Sequence, residues 1–215
     1  RDLSVSLNNV GGMHEQQGNL DAALAAFTES LELSRRLAEQ HGSTPQALRD
    51  LSVSLDNVGK VQRDQGDLDA ALAAFTESLE LSRRRAEQYG STPQALRDLS
   101  VSLENVGGVR ELQGDLDAAL AAFTESLELR RRLAEQYGST PQALRDLSVA
   151  LNNVGWLRER QEEPTDANRA YAEGVMLCEQ LHDRFPGLRD DGLLQHLRAS
   201  AERTAEAADP LPPTR

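Results

Sequence analysis

Aromatic residues make up only 4% of the 215-residue chain, and Cys178 is its single cysteine. With so few rings and β-branched side chains, and with Ala, Leu, Glu and Arg abundant, the composition favours helices over sheets. One cysteine excludes an internal disulfide and fits a reducing, cytoplasmic setting. The longest purely apolar run, AALAAF at 22–27, is far too short for a segment that spans a bilayer. Positive charge is scarce: 23 Lys and Arg stand against 35 Asp and Glu, a net charge of −12. That balance opposes nucleic acid, whose affinity for proteins comes largely from cationic contacts to phosphate, and also anionic membrane surfaces. Lysine is nearly missing, with Lys60 alone among the 23 basic residues, a bias that points to a GC-rich bacterial gene. The chain opens at Arg1 with no initiator Met and no signal peptide, and reads as a fragment of a longer protein.

What the chain has instead is a repeat. RDL begins at 1, 49, 97 and 145, a period of 48 residues. A fixed period of about 20–50 residues is the mark of a stacked array. The stretch SLDNVG at 54–59 returns as SLNNVG at 6–11, SLENVG at 102–107 and ALNNVG at 150–155. Its third residue drifts through Asn8, Asp56, Glu104 and Asn152, while the fourth is fixed as Asn9, Asn57, Asn105 and Asn153.

Each unit reads as two helices. In the unit from Ser43, GSTPQ supplies a Ser or Thr N-cap, with Pro45 at the first helical position, where its missing N–H costs nothing. Helix A then runs to Gln65, and Gly66 takes the left-handed conformation that ends a helix. Asp67 and Asp69 place acids at the positive end of helix B, which runs to Tyr89 and stops at Gly90. Units are expected at 1–42, with helix A truncated, and at 43–90, 91–138 and 139–185. The last is degenerate: QGDLDAAL becomes QEEPTDAN at 161–168, so Glu162 replaces the turn glycine and helix B is expected to lose regularity. HDRFPG at 182–187 breaks the chain, and an amphipathic helix within 186–208 carries Leu193, Leu194, Leu197, Ala201 and Ala205 on one face. It is expected to cap the array, because a terminal repeat needs a polar outer face. The proline-rich tail at 209–215 reads as an extended linker. With helix A of the first unit cut short, further repeats are expected ahead of Arg1, and the uncapped end invites self-association.

The spacing of Leu55, Val58-Gly59, Gly66, Ala71, Phe75 and Ser78 resembles the tetratricopeptide repeat. Leu103, Val106-Gly107, Gly114, Ala119, Phe123 and Ser126 repeat it, and the last unit keeps Leu151, Val154-Gly155, Ala167, Tyr171 and Gly174. The resemblance spans residues 1–181. It departs in three ways: Leu for the usual first Trp; His14, Gln62, Arg110 or Arg158 for the usual Tyr; and 48 residues for about 34. The extra length amounts to two added turns on each helix, which preserves the facing of both. Such long units are similar to those of kinesin light chains and of bacterial arrays that accompany caspase-like proteases or signalling NTPases. The resemblance implies an all-α α-solenoid of antiparallel helix pairs, a right-handed superhelix whose concave groove is lined by the A helices.

A helical wheel of the second A helix puts Leu51, Leu55, Val58 and Val61 on a buried stripe. Asp56, Lys60, Arg63, Asp64, Arg49 and Val53 fall opposite, with Asn57 at the flank. Most differences between units fall on that outer stripe: 8/56/104/152, 12/60/108/156, 15/63/111/159 and 16/64/112/160. Helix B is nearly identical through three units. The framework is held and one face is diversified, as expected of a groove that reads a ligand. The candidate groove residues are Asn9, Asn57, Asn105, Asn153, Asp56, Lys60, Arg63, Glu104, Glu111, Leu112, Trp156, Arg49, Arg97 and Arg145. An Asn side chain can both donate to and accept from a peptide backbone, and in related arrays such ladders grip extended peptides. Trp156, the only tryptophan, is a candidate anchor.

Each feature also has a structural reading. The Asn series could cross-link neighbouring A helices, and Trp156 could pack under the cap. The arginines at 1, 49, 97 and 145 could clamp a carboxylate or pair with Asp50, Asp98 and Asp146. Arg83–Arg85 reads as a solvated helix end near Glu80 and Glu87. The four histidines lack metal spacing, Cys178 stands where earlier units have Ser34 and Ser82, and no glycine-rich phosphate loop is present, so neither an enzyme nor a cofactor is expected. The sequence therefore points to a non-enzymatic module that binds a protein or peptide, the recognition part of a larger bacterial signalling or effector protein. A spacer or self-associating scaffold is the alternative.

Overall fold

Three A helices start in one way: Thr44, Thr92 and Thr140 lie in extended backbone, and their hydroxyls accept from the N–H of Ala47, Ala95 and Ala143 at 3.1–3.2 Å. The proline that follows occupies the first turn, where a backbone donor would be unpaired anyway. The structure, a computed structural model, describes residues 2–42, 44–188 and 190–208. Arg1, Ser43, Arg189 and the tail 209–215 lie outside them. Among the described residues there are nine α-helices, a short 3-10 turn at Pro186–Leu188 and no strand. The A helices are α1 (Asp2–Gln16), α3 (Pro45–Asp64), α5 (Pro93–Leu112) and α7 (Pro141–Arg160). The B helices are α2 (Leu20–His41), α4 (Leu68–Tyr89), α6 (Leu116–Tyr137) and α8 (Pro164–Arg184), and α9 (Asp191–Ala208) follows. The chain divides into two compact units, residues 1–115 and 116–215.

In the first unit each helix packs on the next from α1 to α5. Ala23, Phe27 and Leu31 of α2 form one core cluster with Leu51, Leu55, Val58 and Val61 of α3 and Ala74 of α4. Ala71 and Phe75 of α4 close on Val109 of α5. The small residues of the repeat make these approaches fit: a Cβ on Gly59 would lie 2.8 Å from the Phe75 ring, and one on Gly11 only 2.5 Å from Phe27.

In the second unit α6 packs on α7, α7 on α8 and α8 on α9. The expectation of an irregular last B helix is not met. Pro164 sits in the first turn of α8, and the helix runs unbroken for 21 residues. The expected apolar face of α9 packs inward with Leu194 and Leu197 buried and Leu193 and Ala201 partly buried, but Ala205 is exposed, and Ser200 and Thr204 are buried in addition. Ser200 and Thr204 can lie inward because their hydroxyls are satisfied locally, the Thr204 hydroxyl donating to the Ser200 carbonyl at 2.8 Å. Tyr171 stands where the other B helices have Phe, and its buried hydroxyl needs a partner. It donates to Glu159 at 3.1 Å, and Arg203 of α9 holds the same carboxylate with two bonds of 2.8 and 3.0 Å.

The missing turn glycine has a measurable cost. Gly18, Gly66 and Gly114 adopt φ of 74°, 86° and 81°, and Glu162 is held at 62° in the same role. A side chain in left-handed backbone costs about 1–2 kcal/mol, less what glycine loses in unfolded-state entropy. Glu162→Gly is therefore expected to raise stability by up to about 1 kcal/mol, seen as a higher denaturant midpoint at unchanged slope. An unchanged midpoint would mean that the turn is unstrained.

Candidate peptide-binding face

The outer stripe of each A helix carries an exposed apolar residue as well as polar ones. Val5, Val53, Val101 and Val149 occupy the same place in α1, α3, α5 and α7 and are 52%, 39%, 39% and 38% exposed. Of these the helical wheel singles out only Val53, although a valine recurring every 48 residues on a polar stripe is a signal the sequence carries.

Among the fixed asparagines, Asn9 is exposed and Asn57, Asn105 and Asn153 are half-buried. The Asn105 amide donates to Asp56 Oδ1 at 3.2 Å, linking α5 to α3. The side chains of Asn9, Asn57 and Asn153 engage no hydrogen-bond partner among the described residues. One rung of the series thus serves the cross-linking role, and three have their amides available. Burial pushes the Asp56 carboxyl above its usual range, against the opposing effects of Ser78, Lys60 and Asn105.

Other candidates divide in the same way. Arg63 is bound to Asp64 by bonds of 3.0 and 2.8 Å, and Glu104 and Glu111 are half-buried and engaged. Lys60 is half-buried beside Asp56 and Asn57, and Leu112 is exposed at the end of α5. Arg49 donates to Asp98 at 2.9 Å, and Arg145 pairs with Asp190 at 3.1 Å, so these two make the acid pairing that competes with a carboxylate clamp. Arg97 is exposed. Arg85 corrects the reading of 83–85 as a solvated helix end: it bonds Asp98 alongside Arg49, partly buried between α4 and α5. Trp156 is half-buried, packed against the cluster of Tyr171, Leu194 and Leu197, with the Arg160 guanidinium 4.7 Å above its ring.

Two sets of contacts lie outside the sequence-based expectations. A seam of buried serines bonds helix to helix: Ser4 with Ser30 at 2.9 Å, Ser34 with Ser54 at 3.1 Å and Ser82 with Ser102 at 3.0 Å. Polar clamps also join successive repeats. Gln65, Gln113 and Gln161 donate to Asp21, Asp69 and Asp117 at 2.7–2.9 Å, and Arg35 and Arg131 grip Glu77 and Glu173 in bidentate pairs. Cys178, in the serine slot, is fully buried, and burial raises its thiol above the usual range.

Two cavities open at equivalent places on this face. The first, about 580 Å³, lies among α1, α2 and α3 and is lined by Val5, Asn8, Leu37, Ala47 and Val53. The second, about 200 Å³, lies among α3, α4 and α5 beside Val53, Asp56, Lys60, Asp98 and Val101. No described residues form a His, Cys, Asp or Glu group suited to a metal, and no described helix is long and apolar enough to cross a membrane.

No curated protein matches the chain. Among solved structures, BtubC (BKLC) from P. vanneervenii is similar with a TM-score of 0.73 at 16% identity, over 94% of this chain and 71% of that one. A Podosopora anserina chain of nearly identical TPR-like repeats, of the kinesin light chain kind, gives 0.68 at 11% identity, over 94% and 85%. The apo form of RapI gives 0.67 at 14%, over 95% and 69%. At these identities the likeness is one of fold. The tetratricopeptide repeat model matches residues 2–84 and 50–132, more than half of the sequence. With the paired helices, the glycine-to-ring contacts and that match in hand, the chain belongs to the tetratricopeptide repeat family.

Proposed function

We propose that the chain is a peptide-recognition module that holds an extended segment of a partner protein along the A helices α1, α3 and α5 of the first unit. Tetratricopeptide repeats mediate protein–protein interaction in general, and their arrays are typically non-enzymatic scaffolds. The observation that carries the finer reading is the half-buried Asn57 amide, which has no partner among the described residues and sits between the exposed Val53 and Val101. An amide in that position offers a donor and an acceptor to a passing peptide backbone, and the valines offer apolar footing. The charged residues that vary from unit to unit supply discrimination. A cytoplasmic location and a recognition role in a larger bacterial signalling or effector protein fit the single cysteine and the arginine bias. A protein partner fits the net charge of −12 better than nucleic acid or an anionic membrane.

A second reading, self-association, draws on α1. Leu3, Val10 and Met13 are 58%, 45% and 59% exposed there, whereas the matching Leu51, Val58 and Val61 are buried against α2. One comparison separates the two. A partner captured from lysate is identified and titrated directly against the parent chain and against Asn9→Ala/Asn57→Ala, which leaves the Asn105–Asp56 cross-link in place. Each lost backbone bond contributes about 0.5–1.5 kcal/mol, so affinity is expected to fall about fivefold to a hundredfold at unchanged helicity. Equal affinity would remove the Asn series from recognition and leave it as scaffolding.

A further inference from the structure

We infer that the open face of α1 is a docking site for one amphipathic partner helix that carries an acid, two leucines and an arginine on a single face. The inference goes beyond the groove reading and concerns a different face of the same unit. Leu3, Ser6, Val10, Met13 and Gln17 recur at intervals of three and four, so they form one stripe along α1 and just past its end. All five are exposed. The stripe returns 48 residues on as Leu51, Ser54, Val58, Val61 and Gln65, and there the chain itself shows what covers it.

The cover is α2. Its Ala23, Phe27 and Leu31 pack with Leu51, Leu55, Val58 and Val61, and Leu24 adds to that cluster. Three polar contacts fix the register. Ser34 bonds Ser54 at 3.1 Å, Gln65 donates to Asp21 at 2.8 Å, and Arg35 grips Glu77 of α4 at 2.9 and 2.7 Å. Asp21, Leu24, Leu31 and Arg35 stand at i, i+3, i+10 and i+14, which places them within about 80° of one another around the helix. Beside α1, two of the matching receiving groups stand without such a cover. The Gln17 amide donates to no acceptor among the described residues, and the exposed Glu29, which matches Glu77, has no cation partner among them. Register and charge therefore specify the occupant: an acid opposite Gln17, leucines over the α1 stripe and an arginine opposite Glu29. A second copy of the chain does not supply it. The face required is the one that in α2, α4, α6 and α8 already packs on the next helix, α3, α5, α7 or α9. A partner protein with such a helix uncovered does.

The test titrates a fluorescent synthetic peptide with the sequence of residues 19–41 against the full chain by anisotropy. Saturable one-to-one binding is expected. Met13→Glu sets a carboxylate against the apolar stripe and should weaken binding at least about tenfold. Met13 is 59% exposed, so the exchange leaves the helices intact, as circular dichroism should show. Glu29→Arg should weaken binding about threefold, and a peptide carrying Arg35→Glu should restore it, as befits an exposed ion pair. Should Met13→Glu lose helicity, Glu29→Arg and its rescue decide. Asn57→Ala, in the groove, should bind the peptide as the parent does, which separates this site from the groove. A peptide that exchanges with α2 instead would respond to Gln65→Ala and Glu77→Ala but not to Gln17→Ala and Glu29→Ala, and would overturn the inference. No binding, or affinity for a folded Met13→Glu within about threefold of the parent, would overturn it as well. If the peptide fails while the chain alone dimerises and Met13→Glu abolishes the dimer, the inference falls and the face belongs to a second copy.

Discussion

Gly59→Val is expected to destabilise the first unit by about 3 kcal/mol, the upper end of the range for overpacking a closed core. An ideal Cβ at this position would approach Phe75 Cε1 and Cδ1 to 2.8 and 2.9 Å, closer than real Cβ atoms come. The ring cannot swing aside, because Phe75 is fully buried and packs with Ala71 and Val109. A β-branched residue adds two further carbons and brings little of the helix propensity that alanine would offer in compensation. The measurement is the denaturant midpoint of the parent, Gly59→Val, Phe75→Leu and the double variant. If the contact is the cause, Phe75→Leu should cost less in the Gly59→Val background than alone, with a coupling of about 0.5–3 kcal/mol. Strict additivity would mean that the glycine is kept for some other reason.

That contact is legible in the sequence, because the glycine and the ring recur together in every unit. Thr44 with Pro45, and Gly66 at φ 86°, likewise follow from local chemistry, and the helix ends fall within a residue or two of their expected places. What the sequence conceals are bonds between one repeat and the next. Arg35–Glu77, Gln65–Asp21 and Arg49–Asp98 join residues 42 to 49 positions apart, and a wheel drawn on one helix cannot show them. Packing alone therefore does not explain the near-identity of the B helices. Part of that identity serves clamps such as Arg35–Glu77 and Arg131–Glu173, where both partners must recur for the junction to recur. Arg85 escapes a single-helix reading for the same reason: its acid lies on the following helix, beyond the Glu80 and Glu87 that one helix places nearby.

The Asn series shows the limit from the other side. Sequence alone leaves it open between ligand grip and cross-link, and the outcome differs rung by rung according to the neighbour. Asp56 engages Asn105, and Asn8 at the matching place leaves Asn57 without a partner among the described residues. A carboxylate attracts an amide donor across the junction more strongly than a neutral amide does. The fixed residue is thus neither purely structural nor purely functional, and its drifting neighbour sets the balance.

Leu197→Ala is expected to cost about 2–5 kcal/mol and to uncover the only thiol in the chain. Leu197 is fully buried and fills the space over Gly174, where a Cβ would lie 3.1 Å from its methyl. It joins Leu194, Tyr171 and Cys178 in the cluster between α8 and α9, so truncating it leaves a void that the Gly174 backbone cannot fill. The Arg203–Glu159–Tyr171 bonds persist at one end of α9, and Arg145–Asp190 lies ahead of its first turn. Exposed ion pairs of this kind contribute at most about 1 kcal/mol each and do not offset the loss. The helix then opens more often than the rest of the unit unfolds, as a terminal element of a repeat array can. Cys178 reports that opening directly, since it is fully buried when α9 is docked. Labelling by an aromatic disulfide under native conditions should accelerate at least about thirtyfold, the factor that corresponds to 2 kcal/mol. Cys178→Ser in the same background should abolish the signal. Labelling at the parent rate would mean that α9 is held mainly by its polar contacts, and the cap would then be an electrostatic latch sensitive to salt.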